Sequence, residues 1–376
     1  IVKEKNMQVK NNYQDCLTNI ACSIRKYFGL TSPHQTNSFL DQLLEERKPS
    51  NVVMILFDGM GSRILERSLD KNSFFLKQRV KDITTVFPAT TTAATTSIRT
   101  GLNPVEHGWL GWDTYIEPID KTITLFLNSE KGKEELCEEF LTVKDLLVTK
   151  TIASEINEIG LYQARELFPF GENKYSNLDE MLDRIKKEVN SSGKKFIYAY
   201  DDEPDHSMHM LGPDSEEVKR LIKVRNDKVE ALCRKLTDTV VIILADHGHI
   251  QVEPIYLNDY PEIVNMLERT PSIEQRAVSF KVKEGWKDKF KEKFQELFGE
   301  YFSLYDKEEV MNSQLFGDGN PNPLFESAIG DFIAIAENSN KCLISEGDVV
   351  LFSHHAGYTE DEVFVPLIII DRGKTK

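Results

Sequence analysis

Apolar runs of strand length alternate with amphipathic stretches along most of this 376-residue chain. Four of these runs show no internal alternation of apolar and polar residues. They occupy residues 51–57, 196–200, 239–245 and 363–370. Strands buried on both faces have this pattern, which is typical of a parallel sheet covered by helices. Because helical spacing at 177–190 and 214–236 separates the runs, we expect an α/β fold with a mainly parallel sheet flanked by helices.

Two segments differ in pattern from this core. Residues 1–48 have helical spacing and end in a charged run, which predicts an N-terminal helical segment packed on the core. Residues 255–340 combine an amphipathic helix at 285–298, clustered aromatic residues and a turn-rich stretch. We therefore expect a small α+β cap domain inserted at 255–340. The core would comprise residues 49–254 and 341–376.

Composition restricts the classes of function. Lys and Arg total 46 while Asp and Glu total 61, so the net charge of −15 disfavours nucleic-acid polymers and anionic membranes as partners. No stretch approaches the roughly 18 consecutive apolar residues of a membrane span. The five cysteines are scattered without CxxC spacing, which disfavours a disulfide framework or a thiolate metal site. With no apolar leader behind the first lysines, we expect a cytoplasmic protein. The oligomeric state stays open.

Aspartate and histidine residues stand at the ends of the apolar runs. They are Asp58 after the first run, Asp205 and His209 after the second, Asp246 and His247 after the third, and His354 and His355 after a further short run at 349–352. Ligands bind beyond the carboxyl ends of strands in open α/β sheets, so we expect these side chains to converge on one rim. Three Asp and three His suit two ions of the Zn²⁺ type, since no thiolate is required.

A threonine-rich stretch between the first two clusters offers a nucleophile. Residues 84–100 contain eight threonines, with Pro88 as a strand stop and a short helix expected at 93–99. A hydroxyl at that helix N-terminus would meet free backbone N–H groups and the positive end of the helix dipole, which favour a phosphate. A plain threonine-rich strand and turn is the alternative. The chain has neither a P-loop nor a GxSxG motif.

Together these motifs resemble the alkaline phosphatase superfamily, and within it the type I phosphodiesterase / nucleotide pyrophosphatase family. The resemblance covers most of 50–255 and 340–371. Its pieces are Asp58-Gly-Met-Gly, Phe87-Pro-x-x-Thr91, Thr100-Gly-Leu-x-Pro-x-x-His107-Gly, Pro204-Asp205-x-x-x-His209, Ala245-Asp246-His247-Gly, and His355-x-Gly followed by Val365-Pro-Leu-Ile. Each piece is weak alone, but together they stand in order at compatible spacing.

The resemblance implies an alkaline-phosphatase-like fold and a two-metal phosphoester hydrolase of the phosphodiesterase / pyrophosphatase type. Its substrate would be a small phosphoester such as a nucleotide, and Thr91 would form a phospho-threonine intermediate. One divalent ion would take Asp58, Asp246, His247 and the Thr91 oxygen, and the other would take Asp205, His209 and His355. Zinc is the expected metal, with manganese as the alternative. Family spacing selects Thr91 over Thr90 and Thr92, and His355 over His354.

Other residues near the motifs are expected to have lesser roles. His206 and His249 would lie beside the metal sites or on the surface, and His107 would pack or orient a loop. Trp112 stands where the family commonly has an asparagine that binds a phosphoryl oxygen. Trp112 is therefore a candidate substrate-binding residue that forms a stacking wall with Trp109, and a loop packing its aromatics inward is the alternative. This departure leaves the preference for diesters over monoesters open.

Three other functions stay open at this point. A phosphomonoesterase or a metal-dependent phosphomutase of the same superfamily would use the same ligands, although such mutases typically use Ser where Thr91 stands. A non-catalytic phospholigand-binding protein is the remote alternative, and the candidates for all the metal ligands speak against it. A sulfatase is disfavoured, because no CxPxR-like stretch is present.

Overall fold

Strands and helices alternate through most of the computed structural model, which describes residues 11–373. The helices are α1 (Leu17–Tyr27), α2 (Ser38–Arg47), α3 (Ser62–Ser68), α4 (Phe74–Gln78), α5 (Thr91–Thr100), α6 (Pro104–His107), α7 (Glu138–Val143), α8 (Ile152–Ile159), α9 (Leu178–Val189), α10 (Asp205–Leu211), α11 (Glu216–Cys233), α12 (Pro261–Val264), α13 (Lys287–Phe298), α14 (Lys307–Ser313), α15 (Phe325–Ile329) and α16 (Glu360–Val363). Short 3₁₀ helices occupy Glu117–Ile119, Lys144–Leu146 and Leu257–Asp259.

The strands are β1 (Asn51–Phe57), β2 (Arg79–Thr84), β3 (Asp113–Ile116), β4 (Lys121–Thr124), β5 (Ser129–Glu130), β6 (Gln163–Leu167), β7 (Lys195–Asp201), β8 (Thr239–Leu244), β9 (Ile250–Gln251), β10 (Glu253–Tyr256), β11 (Ser272–Ile273), β12 (Ala277–Phe280), β13 (Ser303–Asp306), β14 (Phe332–Ile335), β15 (Lys341–Ile344), β16 (Ser353–His354) and β17 (Phe364–Arg372). The first ten residues of the predicted N-terminal helical segment lie outside the described residues.

Within residues 11–373, six strands form the main sheet in the order β2-β17-β8-β1-β7-β6. β1 pairs in parallel with β7 and β8, and β6 pairs in parallel with β7. β17 runs antiparallel to β8 and β2. The four unbroken apolar runs all lie in this sheet, and every residue of β1, β7 and β8 is buried. The predicted mainly parallel α/β sheet is confirmed.

Amphipathic helices bury their apolar stripes against this sheet. In α9, Met181, Ile185 and Val189 recur at helical spacing and share one hydrophobic cluster with the sheet strands. Asn177 caps that helix by accepting a hydrogen bond from the Glu180 N–H at 3.0 Å. Helices α1 and α2 contribute buried residues to the same cluster. No helix of the described chain combines the length and apolarity needed to cross a membrane.

A second sheet runs in the order β13-β14-β12-β11-β3-β4-β5. Its first four strands come from the segment 255–340, which also contains the helices α12 to α15. The other three come from residues 113–130, and Ile273 of β11 pairs with Asp113 of β3. Phe290, Phe294 and Phe298 of α13 lie in a hydrophobic cluster with residues of β12 and β14. The sheet therefore extends beyond the segment that the sequence predicts as a cap.

Residues 349–352, the further short apolar run of the sequence, do not form a strand. They have no regular structure, and Val349, Val350 and Phe352 are exposed. Val349 and Leu351 border the cavity described below, so these apolar side chains serve its rim instead of the core. The strand that leads to the site is β16, which pairs antiparallel with β9.

Candidate metal centre

The carboxyl ends of β1, β7 and β8 lie side by side and carry most of the predicted ligands. Asp58 follows β1, and Asp246 and His247 follow β8. Because β1 lies between β7 and β8 in parallel register, these side chains meet at one edge of the sheet. Asp205 and His209 stand one turn apart on α10, with His209 Nε2 at 3.2 Å from Asp205 Oδ2.

Two groups of side chains in the described chain have the spacing to hold a cation. They are Asp205, His209, His249 and His355 in the first group, and Asp58, Asp205 and His247 in the second. Within each group the ligand atoms all lie within 4.8 Å of one another, and Asp205 belongs to both. Asp246 stands beside the second group, with its Oδ2 at 3.7 Å from His247 Nε2. The structure thus brings all the predicted metal ligands together.

Buried polar atoms at the centre are left without hydrogen-bond partners. Within residues 11–373, Asp205 Oδ1, Asp246 Oδ2 and His249 Nε2 are such atoms, even though the Asp205 and His249 atoms are only 3.2 Å apart. A buried carboxylate oxygen or imidazole nitrogen without a partner is costly in free energy, so an unmet acceptor of this kind indicates a missing partner. Carboxylate oxygens and imidazole nitrogens are ligands of Zn²⁺ and Mn²⁺.

Backbone carbonyl groups hold the Nδ1 atoms of three candidate histidine ligands in place. The Nδ1 atoms of His209, His355 and His247 lie 2.8, 3.1 and 2.9 Å from the carbonyl oxygens of Ser353, Ala89 and Gly248, respectively. Donation from Nδ1 leaves the Nε2 lone pair free to bind a cation, and it sets the orientation of the ring. The residues present therefore fit a two-cation centre.

The pKa shifts of the site residues also indicate a cation site. Burial, together with the charges of Asp246 and Asp205, raises the pKa of Asp58 well above its ordinary value. Burial also lowers the pKa of His249 to about 4 and that of His355 well below its ordinary value, which keeps both rings neutral. Crowded buried carboxylates and the neutral rings of His249 and His355 form a site that a bound cation would stabilise, although Asp205 outweighs burial at His209 and raises its pKa to about 9.

Thr91 begins α5 beside the second group. Its hydroxyl lies 3.3 and 3.4 Å from the two Asp58 carboxylate oxygens and 3.2 Å from His247 Nε2. The Thr90 hydroxyl instead donates to Glu274 Oε1 at 2.5 Å, and the Thr92 side chain is fully buried. Of the three adjacent threonines, Thr91 is the one that the structure places against the ligand set.

The threonine hydroxyls of α5 form hydrogen bonds to the backbone of the helix itself. The hydroxyls of Thr95, Thr96 and Thr100 donate to the carbonyl oxygens four residues earlier, at 2.6 to 2.8 Å. These bonds satisfy the polar side chains within the helix itself. The helix begins two residues before the predicted 93–99 and therefore sets Thr91 in its first turn.

A cavity of about 810 Å³ opens over the centre. Its lining includes Asp58, Thr91, His209 and His355 from the centre itself. Aromatic side chains form much of the remaining wall, namely Trp109, Trp112, Phe126, Phe168, Phe170, Tyr198 and Tyr200. A cavity of this size takes a molecule as large as a nucleotide.

The two tryptophans of the predicted stacking wall differ in exposure. Trp112 is 41% exposed and meets the Phe126 ring edge-on, with 6.1 Å between the ring centroids. Trp109 is largely buried, and its Nε1 donates to the Val148 carbonyl oxygen at 2.8 Å. Trp112 is therefore the tryptophan that offers a free surface to a ligand.

Four other histidines near the motifs lie in different surroundings. His107 is fully buried, accepts a hydrogen bond from the Trp109 N–H at 3.1 Å, and packs a loop. His206 is exposed at the cavity edge. His354 Nδ1 accepts from the His355 N–H at 2.9 Å, and His354 belongs to neither ligand group. His249 is not at the surface but fully buried inside the first group.

Two further site residues have no counterpart in the sequence reasoning. Tyr200, near the end of β7, donates its hydroxyl to Asp58 Oδ2. The sequence did contain a signal for Tyr200, because a side chain with a polar hydroxyl stands at the end of an apolar run. Glu274 follows β11, lines the cavity, and contacts Thr90. Nothing in its local sequence indicates burial, because the second sheet brings it to the site.

Comparison with known proteins agrees with this geometry. The sequence model of the family described as type I phosphodiesterase / nucleotide pyrophosphatase matches residues 52–358. No curated protein matches the chain in sequence. The solved structures that share the fold include murine ectonucleotide pyrophosphatase / phosphodiesterase 5, an inactive variant in complex with AMP, which is 18% identical with a TM-score of 0.64 over 86% of this chain and 87% of that one.

Two further solved structures resemble the chain to a similar degree. Human ectonucleotide pyrophosphatase / phosphodiesterase 5 is 18% identical with a TM-score of 0.64, over 86% of this chain and 87% of that one. Phosphonoacetate hydrolase from Sinorhizobium meliloti 1021, in complex with phosphonoformate, is 15% identical with a TM-score of 0.62, over 87% and 91%. These structures show the fold, and the family match covers most of the sequence. The chain therefore belongs to the type I phosphodiesterase / nucleotide pyrophosphatase family, metal-dependent phosphoester hydrolases of the alkaline phosphatase superfamily.

Proposed function

We propose that this chain hydrolyses small phosphodiesters or nucleotide pyrophosphates through a phospho-threonine intermediate on Thr91. The observation that carries the proposal is the position of the Thr91 hydroxyl. It stands in the first turn of α5, within 3.4 Å of Asp58 and His247, at the floor of the cavity. A helix N-terminus offers free backbone N–H groups to phosphoryl oxygens at the same place.

The proposed ligand assignment draws on the two groups and adds Asp246 and Thr91, which stand beside the second group. One cation would be held by Asp205, His209 and His355, with His249 as a further candidate ligand, and the other by Asp58, Asp246, His247 and the Thr91 oxygen. We propose zinc, with manganese as the alternative, because imidazole and carboxylate ligands suit both. When bound, the cations would lower the pKa of the Thr91 hydroxyl and neutralise charge on the phosphoryl oxygens.

The proposed hydrolysis has two steps, and residues of the chain hold the reacting groups in place. Asp58 and His247 hold the Thr91 hydroxyl, and Tyr200 in turn holds the Asp58 carboxylate through its own hydroxyl. In the first step Thr91 Oγ1 loses its proton and bonds to phosphorus, while the ester oxygen leaves and takes up a proton. In the second step a water oxygen bonds to phosphorus and the threonine oxygen leaves, which restores the hydroxyl.

The cavity wall supports a substrate with a flat ring. Trp112, Phe126 and Phe170 line it with exposed faces, and aromatic rings of this kind stack on nucleobases. The related murine and Sinorhizobium meliloti structures hold AMP and phosphonoformate, both small phosphorus oxyanions. We therefore propose a nucleotide-like phosphoester as the substrate class, and the net charge of −15 disfavours a nucleic-acid polymer.

We propose a cytoplasmic location for the protein. All five cysteines lie in the described part of the chain, and each is buried and free. Unpaired thiols are common in reducing compartments.

The proposal is tested with metal-loaded protein on bis-p-nitrophenyl phosphate, a dinucleoside pyrophosphate and p-nitrophenyl phosphate. We expect hydrolysis of the first two, and we expect Thr91→Ala to lower kcat by about a thousandfold or more. Acid-quenched wild-type protein should carry the retained part of the substrate on Thr91 by mass spectrometry, which is a p-nitrophenyl phosphoryl group from the diester or a nucleotidyl group from the pyrophosphate.

Thr92→Ala is the matched control, since Thr92 lies one residue further along the same helix and makes no contact with the ligand set in the described structure. It should keep most of the activity. Wild-type protein that hydrolyses none of the esters after Zn²⁺ or Mn²⁺ loading would contradict the proposal. Full activity in Thr91→Ala would contradict the assigned nucleophile.

A further inference from the structure

Glu274 is a buried carboxyl group that the proposed mechanism does not use. It follows β11 in the second sheet and is 8% exposed. Its Oε1 accepts hydrogen bonds from Thr90 Oγ1 at 2.5 Å and from the backbone N–H of Trp112 at 2.8 Å. Thr90 immediately precedes Thr91, and Trp112 lines the cavity, as Glu274 itself does. Glu274 therefore stands at the cavity wall beside the nucleophile.

The backbone next to Glu274 is held in a disfavoured conformation. Ile273 has a φ of +75°, in the left-handed region that a β-branched residue rarely adopts. Pairing with Asp113 and Val278 on either side holds it there. Gly111 packs so closely that a Cβ would lie 2.6 Å from the Ile273 carbonyl oxygen. Strain of this kind persists where the surrounding structure fixes it, and Ile273 immediately precedes Glu274, which lines the cavity.

The surroundings leave the Glu274 charge without a basic partner. Lys131, which lines the same cavity, is paired with Asp348 at 2.8 Å and lies 3.6 Å from Asp113. Among residues 11–373, no lysine or arginine forms an ion pair with Glu274. Burial raises the pKa of Glu274 to about 7, while its two hydrogen bonds and the nearby His209 oppose the rise. Above that pH the cavity wall beside Thr91 therefore carries a negative charge.

We propose that Glu274 is a specificity-determining residue that disfavours phosphomonoesters relative to phosphodiesters. The inference rests on the proposed function, because it concerns the phosphoryl group that Thr91 would attack. A diester phosphoryl group carries one negative charge, whereas a monoester carries two at alkaline pH. The Glu274 carboxylate repels the second charge more strongly than it would in bulk water, since it lies in a partly desolvated cavity. The same carboxylate positions Thr90 and Trp112 through Oε1.

Glu274→Gln tests the role of the charge, because Gln keeps an acceptor oxygen for Thr90 and Trp112. Metal-loaded wild-type and variant protein are compared on bis-p-nitrophenyl phosphate and p-nitrophenyl phosphate, which release the same leaving group. The assay is run at about pH 9, where Glu274 is ionised. We expect kcat/KM for the monoester to rise by about tenfold or more, and kcat/KM for the diester to change by less than about threefold.

Thr90→Val is the matched control, since it removes the hydrogen bond and keeps the charge. It should change the rates of both esters in parallel. An unchanged ratio of the two rates in Glu274→Gln, or an equal change of that ratio in Thr90→Val, would overturn the inference. If Glu274→Gln does not fold, Glu274→Met removes the same charge from a side chain of similar length. The ratio of the monoester rate to the diester rate in Glu274→Met then tests the inference. Wild-type protein that hydrolyses neither ester overturns the proposed function and this inference together, whereas active wild type with an unchanged ratio overturns the inference alone.

Discussion

A fully buried ion pair joins the second sheet to the segment that follows His355. Arg276 and Glu362 are both 0% exposed in their side chains, and their two hydrogen bonds measure 2.7 and 2.9 Å. Glu362 Oε1 also accepts from the Gly357 N–H at 2.8 Å, two residues beyond the candidate ligand His355. The pair thus ties the packing of the second sheet to the position of a candidate metal ligand.

Glu362→Gln should destabilise the protein strongly, because it leaves the Arg276 charge buried without a counter-charge. Breaking a buried pair by removing one partner costs about 3–5 kcal/mol. The entropy of unfolding for 376 residues is about 0.8 kcal/mol/K, so the melting temperature should fall by about 4–6 °C. Differential scanning calorimetry at pH 7 measures the change.

Glu360→Gln provides the control from the same helix, α16. The Glu360 side chain is 68% exposed and lies 3.7 Å from Arg63, so its loss should shift the melting temperature by about 1 °C or less. Equal melting temperatures for the two variants would refute the reasoning.

The Arg276–Glu362 pair also predicts how the stability of the protein depends on pH. Burial alone would raise the pKa of Glu362, but the Arg276 charge and hydrogen bonds lower it below the ordinary value of 4.5. A carboxyl with a lowered pKa in the folded state stabilises the protein above the unfolded pKa and loses that contribution as the pH falls through the folded pKa. The gap in stability between wild type and Glu362→Gln should therefore narrow below about pH 4.5. A gap that stays constant down to pH 3 would contradict this assignment.

Two further outcomes follow from the site. Asp205→Ala and Asp246→Ala should each lose one cation, because the proposed assignment gives the two carboxylates to different ions. Elemental analysis of metal-loaded protein measures both losses, and loss of both cations in Asp205→Ala would show instead that the two ions share this ligand. Trp112→Ala should raise KM for a diester with a nucleoside leaving group by roughly threefold to tenfold while kcat changes little. Steady-state kinetics separate the two constants, and a fall in kcat with unchanged KM would speak against a stacking role for Trp112.

The main sheet and the strand-end residues could be predicted from the sequence for a physical reason. A strand buried on both faces must be apolar throughout, so β1, β7 and β8 are visible as unbroken runs. A polar residue at the end of such a run, such as Asp58, stands out against it. The position of these strands as neighbours then places their end residues together.

The parts that could not be predicted depend on contacts between distant segments. β3 is four residues long and finds its partner β11 about 160 residues later, so no local pattern indicates it. Glu274 is buried because those two segments meet. The apolar run at 349–352 is misleading for a different reason. Its residues border a cavity instead of filling a core.

The seven-stranded sheet also affects how the chain folds as it is synthesised. β3, β4 and β5 emerge from the ribosome about 140 residues before β11, the strand that covers the edge of β3. At about 5–20 residues per second, that edge waits roughly 7–30 s for its partner. An unpaired strand edge is a template for association with other chains. Overexpression should therefore increase aggregation of nascent chains. Slower synthesis at low temperature would not shorten the time during which the β3 edge is unpaired. A chaperone that covers this edge would protect the chain.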